Sequence, residues 1–145
     1  MSLSAFLSGS GYIQIPLSKN GMGHFQTNGL LNERAVSVLI DTGAANTVFS
    51  LAFVHDMKLP TTKLPIFGGG AGAAQLEIHE IQDARFGLVE MSPQIYAFLA
   101  MDLRHVNEAL RLKGSTPIEA ILGADVFENH SAVIDYSSNS LYLKV

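Results

Sequence analysis

One aspartate in this chain is placed to do chemistry: the apolar run Val38-Leu39-Ile40 leads straight into Asp41-Thr42-Gly43-Ala44. A carboxylate at the end of a buried strand is costly unless its hydrogen bonds are satisfied, and the residues that follow can satisfy them. Gly43 has no Cβ, so the backbone can fold tightly and aim an N–H at the carboxylate, while the Thr42 hydroxyl can brace a neighbouring loop. A single such carboxylate is a weak catalyst of amide hydrolysis. Two that face each other cannot both ionise cheaply and share a proton: one acts as base on a water while the other donates to the carbonyl oxygen or the leaving nitrogen. As a bare tripeptide Asp-Thr-Gly is also ordinary turn chemistry, so its surroundings must decide.

The second carboxylate is not evident within the chain. Val133-Ile134-Asp135-Tyr136 echoes Val38-Leu39-Ile40-Asp41, but no glycine follows, and its place near the end predicts a hairpin in which Asp135 is a turn or strand-end residue. Asp125 reads as a helix-start residue. One motif and a need for two carboxylates imply a two-fold homodimer, with the axis passing between the two Asp41 side chains.

Other chemistries find less support. The chain has no cysteine, which removes disulfides, thiolate nucleophiles and zinc–thiolate sites and leaves the compartment open between cytoplasm and periplasm. His55, His79, His105 and His130 show no compact ligand spacing, so no metal is expected. Gly68-Gly69-Gly70-Ala71-Gly72 is not followed by Lys-Ser/Thr or a helix start, which disfavours a phosphate cradle. A formal net charge of -4 with 15% charged residues offers no basic surface for nucleic acid. Apolar runs are all broken well short of a membrane span. The start, Met1 to Ser10, lacks a basic region and is too short in apolar length for a signal peptide; Met1-Ser2-Leu3 also has the look of an artificial start, under which a native leader would be missing.

The elements that must carry Asp41 read mostly as short strands. With 145 residues, 48% of them apolar, the chain has the length of one domain. Strands are predicted at 12–17, with Pro16 near an end or edge, at 24–31, and at 35–40 after a turn at Asn32-Glu33. Ser50 to Met57 predicts a short helix stopped by Leu59-Pro60, and 64–66 with 74–79 predict the arms of a hairpin around the glycines. Strands are expected at 83–89 and 94–99. A helix is expected over 103–113, capped by Asp102, stopped by Gly114, with Leu103, Val106, Leu110 and Leu112 on its inner side. Residues 120–127 predict a strand and short helix, and 132–136 with 141–144 a closing hairpin.

In order along the chain, three pieces resemble the retropepsin-like aspartic proteases, and more closely the bacterial single-domain families among them. These are Val38 to Ser50 as strand, active-site loop and following segment; the glycine-rich hairpin at 67–72, where that family has its flap; and Ile121-Leu122-Gly123-Ala124-Asp125-Val126-Phe127 as the second apolar-apolar-Gly element. The likeness runs from about Phe25 to Leu143. It implies a mostly β fold, a closed, Greek-key-like barrel with one or two short helices, divided as an N-terminal extension and first strand over 1–22 and the protease domain over 23–145. It implies Asp41, Thr42 and Gly43 as catalytic residues, Thr42 gripping the opposite subunit's loop. Ala44, Ala45, Phe67, Gly68, Gly69, Gly70, Ala71, Ile121, Leu122 and Gly123 are implied as substrate-binding positions.

The function so implied is an aspartic endopeptidase acting on peptide or protein substrates as a homodimer, with no cofactor and best activity below neutral pH. The apolar positions expected to line the cleft suggest hydrophobic side chains flanking the scissile bond. A rival reading is a non-catalytic peptide-binding or regulatory module that keeps the fold. Two departures from viral members stand out: Ala45 and Ala124 occupy places where those enzymes carry an Asp and an Arg, and losing both leaves no orphaned charge. The helix over 103–113 is an insertion relative to the viral enzymes.

Overall fold

The central strands alternate so regularly that both faces of their sheet are buried, and this alternation sets the architecture. In the computed structural model, which describes residues 1–68 and 75–145, β1 (Tyr12–Pro16) follows a helix α1 (Leu3–Gly9), and then come β2 (Ser18–Lys19), β3 (Phe25–Leu31), β4 (Arg34–Ile40) and β5 (Val48–Ser50). Helix α2 (Leu51–Asp56) leads to the hairpin β6 (Thr61–Gly68) and β7 (Leu76–Ile81), then β8 (Phe86–Gly87), β9 (Leu99–Met101) and α3 (Arg104–Leu112). The chain closes with β10 (Ala120–Leu122), α4 (Ala124–Asn129), β11 (Val133–Asp135) and β12 (Ser140–Lys144). The larger sheet has the order β2-β3-β4-β10-β5-β9-β7-β6, with β8 paired to β3; the smaller is β1-β12-β11. Among the described residues neither closes on itself through strand pairing, so the enclosure comes from packing one sheet on the other.

In β4, β5 and β10 the side-chain period of two sorts residues to opposite faces. Val36, Val38, Ile40, Phe49, Ala120 and Leu122 face a core shared with Ile15, Leu141 and Leu143 of the smaller sheet. Leu39, Val48 and Ile121 face a second core with Leu103, Leu110 and Ile118, under α3. Strand β10 runs parallel to β4, pairing Ile121 with Leu39 and Leu122 with Ile40, and antiparallel to β5.

Local signals explain several elements. Asn32 and Glu33 both take positive φ, 46° and 69°, as a two-residue hairpin turn demands, and the Asn32 amide also bonds Asp83 and Arg85. The Ser50 hydroxyl accepts from the Phe53 N–H and caps α2. Helix α3 ends at Gly114, φ 73°.

The mostly β class expected from the sequence is what the structure shows, with four helices among the described residues rather than one or two. Helix α1 was not announced by its sequence; its cap is Ser2, whose hydroxyl accepts from the Ala5 N–H. Strand 83–89 shrinks to β8, because Asp83 and Val89 both take positive φ, and 94–99 yields only the start of β9. Leu112 is 70% exposed, not inward, because nine residues of helix place it opposite Leu103. Asp102 does bond the Arg104 N–H, but Leu103 occupies the cap position.

Phe49 is fully buried, with Phe86 edge-on at 5.2 Å and Phe98 stacked at 5.9 Å. Phe49→Ala is therefore expected to destabilise the fold by about 3–5 kcal/mol, read as a lowered denaturant midpoint at unchanged slope.

Candidate active site

Asp41 stands where β4 leaves the sheet, on the Leu39 side by the alternation of the strand, and its backbone N–H still donates to the Leu122 carbonyl at 3.0 Å. The chain then turns at once: the Gly43 N–H donates to Asp41 Oδ1 at 2.9 Å and the Ala44 N–H to the Asp41 carbonyl at 3.1 Å. A Cβ on Gly43 would lie 3.3 Å from Oδ1, so the glycine lets the backbone approach the carboxylate. Asp41 is half-buried, while Thr42, Gly43 and Ala45 are exposed.

What fixes this loop is the start of α4. The Ala124 N–H donates to the Ala44 carbonyl at 2.7 Å and the Asp125 N–H to the Ala45 carbonyl at 3.2 Å. A Cβ at Gly123 would meet the Ala44 oxygen at 2.7 Å and the Asn46 oxygen at 2.8 Å, so only glycine allows this contact. Thr47, 0% exposed, donates its hydroxyl to Asp125 Oδ1 at 2.8 Å and accepts the Gly123 N–H at 3.0 Å, and its own N–H also reaches Oδ1 at 2.9 Å. Nothing in the pattern of the sequence announced this Thr47–Asp125 clamp, although Asp125 was read as a helix-start residue, and its Oδ1 does accept the Val126 N–H.

The sequence-derived positions separate into two groups. Asp41 and Thr42 line a cleft of ≈ 520 Å³, with Leu39 and Ile40 at its base. Leu122 and Gly123, expected to touch substrate, are instead buried beneath the loop, Leu122 at 0% exposure, and Ile121 packs in the second core. The reason is the strand period: these residues fill the layer that supports Asp41. Phe67 lies on β6 opposite Glu77 with its side chain exposed, and Gly68 pairs with Leu76. Gly69, Gly70 and Ala71 lie outside the described residues.

Sequence reasoning missed the other walls of the cleft. Met22 to Phe25 form one, Val106, Ala109 and Leu110 of α3 another with His105, and Ile134 and Tyr136 a third. The 20–24 turn is tied to the far end of α3, where the Gly21 N–H donates to Ser115 Oγ at 2.7 Å, and Phe25 packs on Tyr136 at 5.0 Å between ring centres. These residues come from three separate stretches of chain, so no local pattern could have collected them.

Asp135 sits in the closing hairpin as expected. Its carboxyl is held below the usual aspartate range chiefly by the Ser138 hydroxyl and then by the Ser137 N–H. A depressed value means the turn's contribution is complete above the ordinary aspartate range and is lost as pH falls through the depressed one. His55 and His79 lie edge to face at 6.3 Å, but among the described residues no third acid or histidine joins them as a metal site would require.

A parallel strand pair crossed by an aspartate-bearing loop, with a glycine and helix start sealed beneath, is the geometry of the retropepsin-like fold. The structure is similar to a retropepsin-like aspartic protease from Rickettsia conorii, with TM-score 0.58 and 14% identity over 91% of this chain and 90% of that one. It is also similar to the retroviral protease-like domain of Ddi1 from Leishmania major, TM-score 0.53 and 19% identity, covering 81% and 86%. Residues 27–126 match the family model described as aspartyl protease, and the chain belongs to that family. No match to a curated protein is found.

Thr47→Val keeps the shape but leaves the buried Gly123 N–H without its acceptor. The expected cost is about 1–3 kcal/mol of stability, with Thr47→Ser recovering most of it in the same denaturation assay.

Proposed function

We propose that the chain is an aspartic endopeptidase whose active site forms between two copies, each contributing Asp41. The observation that carries this reading is the Asp41 loop itself: a carboxylate tethered by the Gly43 N–H, rigidly seated on α4, with Thr42 and Gly43 exposed beside it as a second loop would require. In the proposed dimer Thr42 braces the opposite loop, and the two carboxylates hold one proton between them.

In the reaction the ionised Asp41 takes a proton from a water as its oxygen bonds to the peptide carbonyl carbon, and the protonated Asp41 gives its proton to the carbonyl oxygen. Collapse of the tetrahedral adduct returns that hydroxyl proton to a carboxylate, protonates the amide nitrogen and breaks the C–N bond. The hairpin β6–β7, with Phe67 and Gly68 near its tip, serves as the flap over an extended peptide bound by strand addition. Membership of the aspartyl protease family supports this reading, as does the seating of the loop.

Wild-type protein is expected to cleave a mixed peptide library between about pH 4 and 7, with a rate that falls on both sides of an acidic maximum as the shared proton is lost or a second is gained. Asp41→Asn, which keeps the shape and removes the titrating group, is expected to lower kcat at least about a thousandfold. A rate still rising above pH 8 contradicts the paired-carboxylate mechanism. Sedimentation of the active protein as a monomer at assay concentration contradicts the two-copy site, and a monomer that cleaves nothing supports a binding module.

A further inference from the structure

We propose that His24 and His105 make the cleft beside Asp41 a subsite selective for an acidic side chain, glutamate or aspartate, next to the scissile bond. The inference rests on the peptidase reading and names its substrate class. Apart from Asp41 and the Tyr136 phenol, the ionisable groups lining this cleft among the described residues are the imidazoles of His24 and His105, one on the 20–24 turn and one on α3. No lysine, arginine or second acid is among its lining residues, in a chain of formal net charge -4.

The charges packed around the two imidazoles leave them as the cleft's cationic groups. Lys19, on β2, places its ammonium over the Phe25 ring at 5.6 Å. Arg104 is engaged by Asp102 at 2.6 Å, and Glu108 by Arg111 at 2.6 Å on another face of α3. Asp102 and Glu108 each lie three residues from His105 along the chain, and Asp102 and His105 attract. Both imidazoles are exposed, and imidazole is the side chain that gains its charge between pH 8 and 5. Imidazole is thus the one side-chain type among the cleft's described lining residues that can carry positive charge at acidic pH.

Much of the rest of the lining is apolar, Leu39, Val106 and Leu110 among it. A glutamate side chain suits it: its methylenes lie on the apolar lining and its carboxylate meets the imidazoles. Two-fold symmetry then places one such cleft on each side of the scissile bond, so selection acts on both flanking residues. The expectation of purely hydrophobic flanking residues gives way to one of acidic residues at acidic pH.

The test is a mixed peptide library cut at about pH 5 and about pH 7.5 by wild type and by the double variant His24→Gln/His105→Gln, whose positions are exposed. At pH 5 wild type should enrich Asp and Glu beside the cut by roughly threefold to tenfold, the scale of one or two half-exposed charge pairs. The enrichment should vanish at pH 7.5 and in the double variant at either pH. Its absence in wild type at pH 5, or its persistence in the variant, overturns the proposal. A second readout needs no turnover: in Asp41→Asn protein at about pH 5.5, the His24 and His105 ring resonances should move on adding acetyl-Leu-Glu-Glu-Leu-amide and not its Gln-Gln counterpart. A wild-type protein that cuts nothing overturns the peptidase reading; moved resonances then still uphold the acidic subsite, and unmoved ones overturn that too.

Discussion

The close approach of Gly123 to the carbonyls of Ala44 and Asn46 is the contact on which the rest of the site depends. Without a Cβ, the start of α4 can rise under the Asp41 loop until the Ala124 and Asp125 N–H groups meet the loop carbonyls. The Thr47 hydroxyl then closes a buried ring of hydrogen bonds with Asp125 and the Gly123 N–H. A fully satisfied buried polar network holds one geometry, whereas a half-satisfied one would be worse than an apolar layer. The result is a loop whose own exposed residues need make few contacts, because its underside is already fixed.

That clamp is possible because β4 and β10 run parallel and in register, ending together at Ile40 and Leu122. The two strands bury opposite faces in separate cores, and the alternation puts Leu39 and Ile121 in the core beneath α3 while Val38, Ile40, Ala120 and Leu122 join the other. Asp41 continues the Leu39 parity. A slip of one residue would send it into the body of the protein, where an unpaired carboxylate is costly, so burial on both faces specifies the register and with it the direction of the Asp41 side chain.

Much of this was legible residue by residue where the signal was local. Asp-Thr-Gly after an apolar strand, the Asn32-Glu33 turn, the short helix after Ser50, the Gly114 stop and the closing hairpin around Asp135 all depend on neighbours in sequence, and all appear. What was illegible depends on tertiary partners. The short β8 owes its length to positive φ at Asp83 and Val89, and Leu122, expected as a substrate-binding position, is fully buried beneath the Asp41 loop because a second sheet packs against it. The walls of the cleft come from the 22–25 turn, α3 and the 134–136 strand end, which only the folded chain brings together.

Helix α3 ties the second core to the lining of the cleft. Leu103 and Leu110 close the second core against Leu39 and Ile121, so removing the helix would expose the outer face of the strands that carry Asp41. The same helix brings His105 and Val106 to the cleft, and just beyond its C-terminal end Ser115 holds the 20–24 turn that carries His24. A change that shifts α3 on its apolar face must therefore move both imidazoles relative to Asp41, while a change at His105 itself, exposed on the rim, can alter the charge of the cleft without disturbing the core. Such a division lets the charge of the cleft vary while the Asp41 carboxylate stays seated, because the clamp under Asp41 is made by α4 and, among the described residues, shares no hydrogen bond with α3.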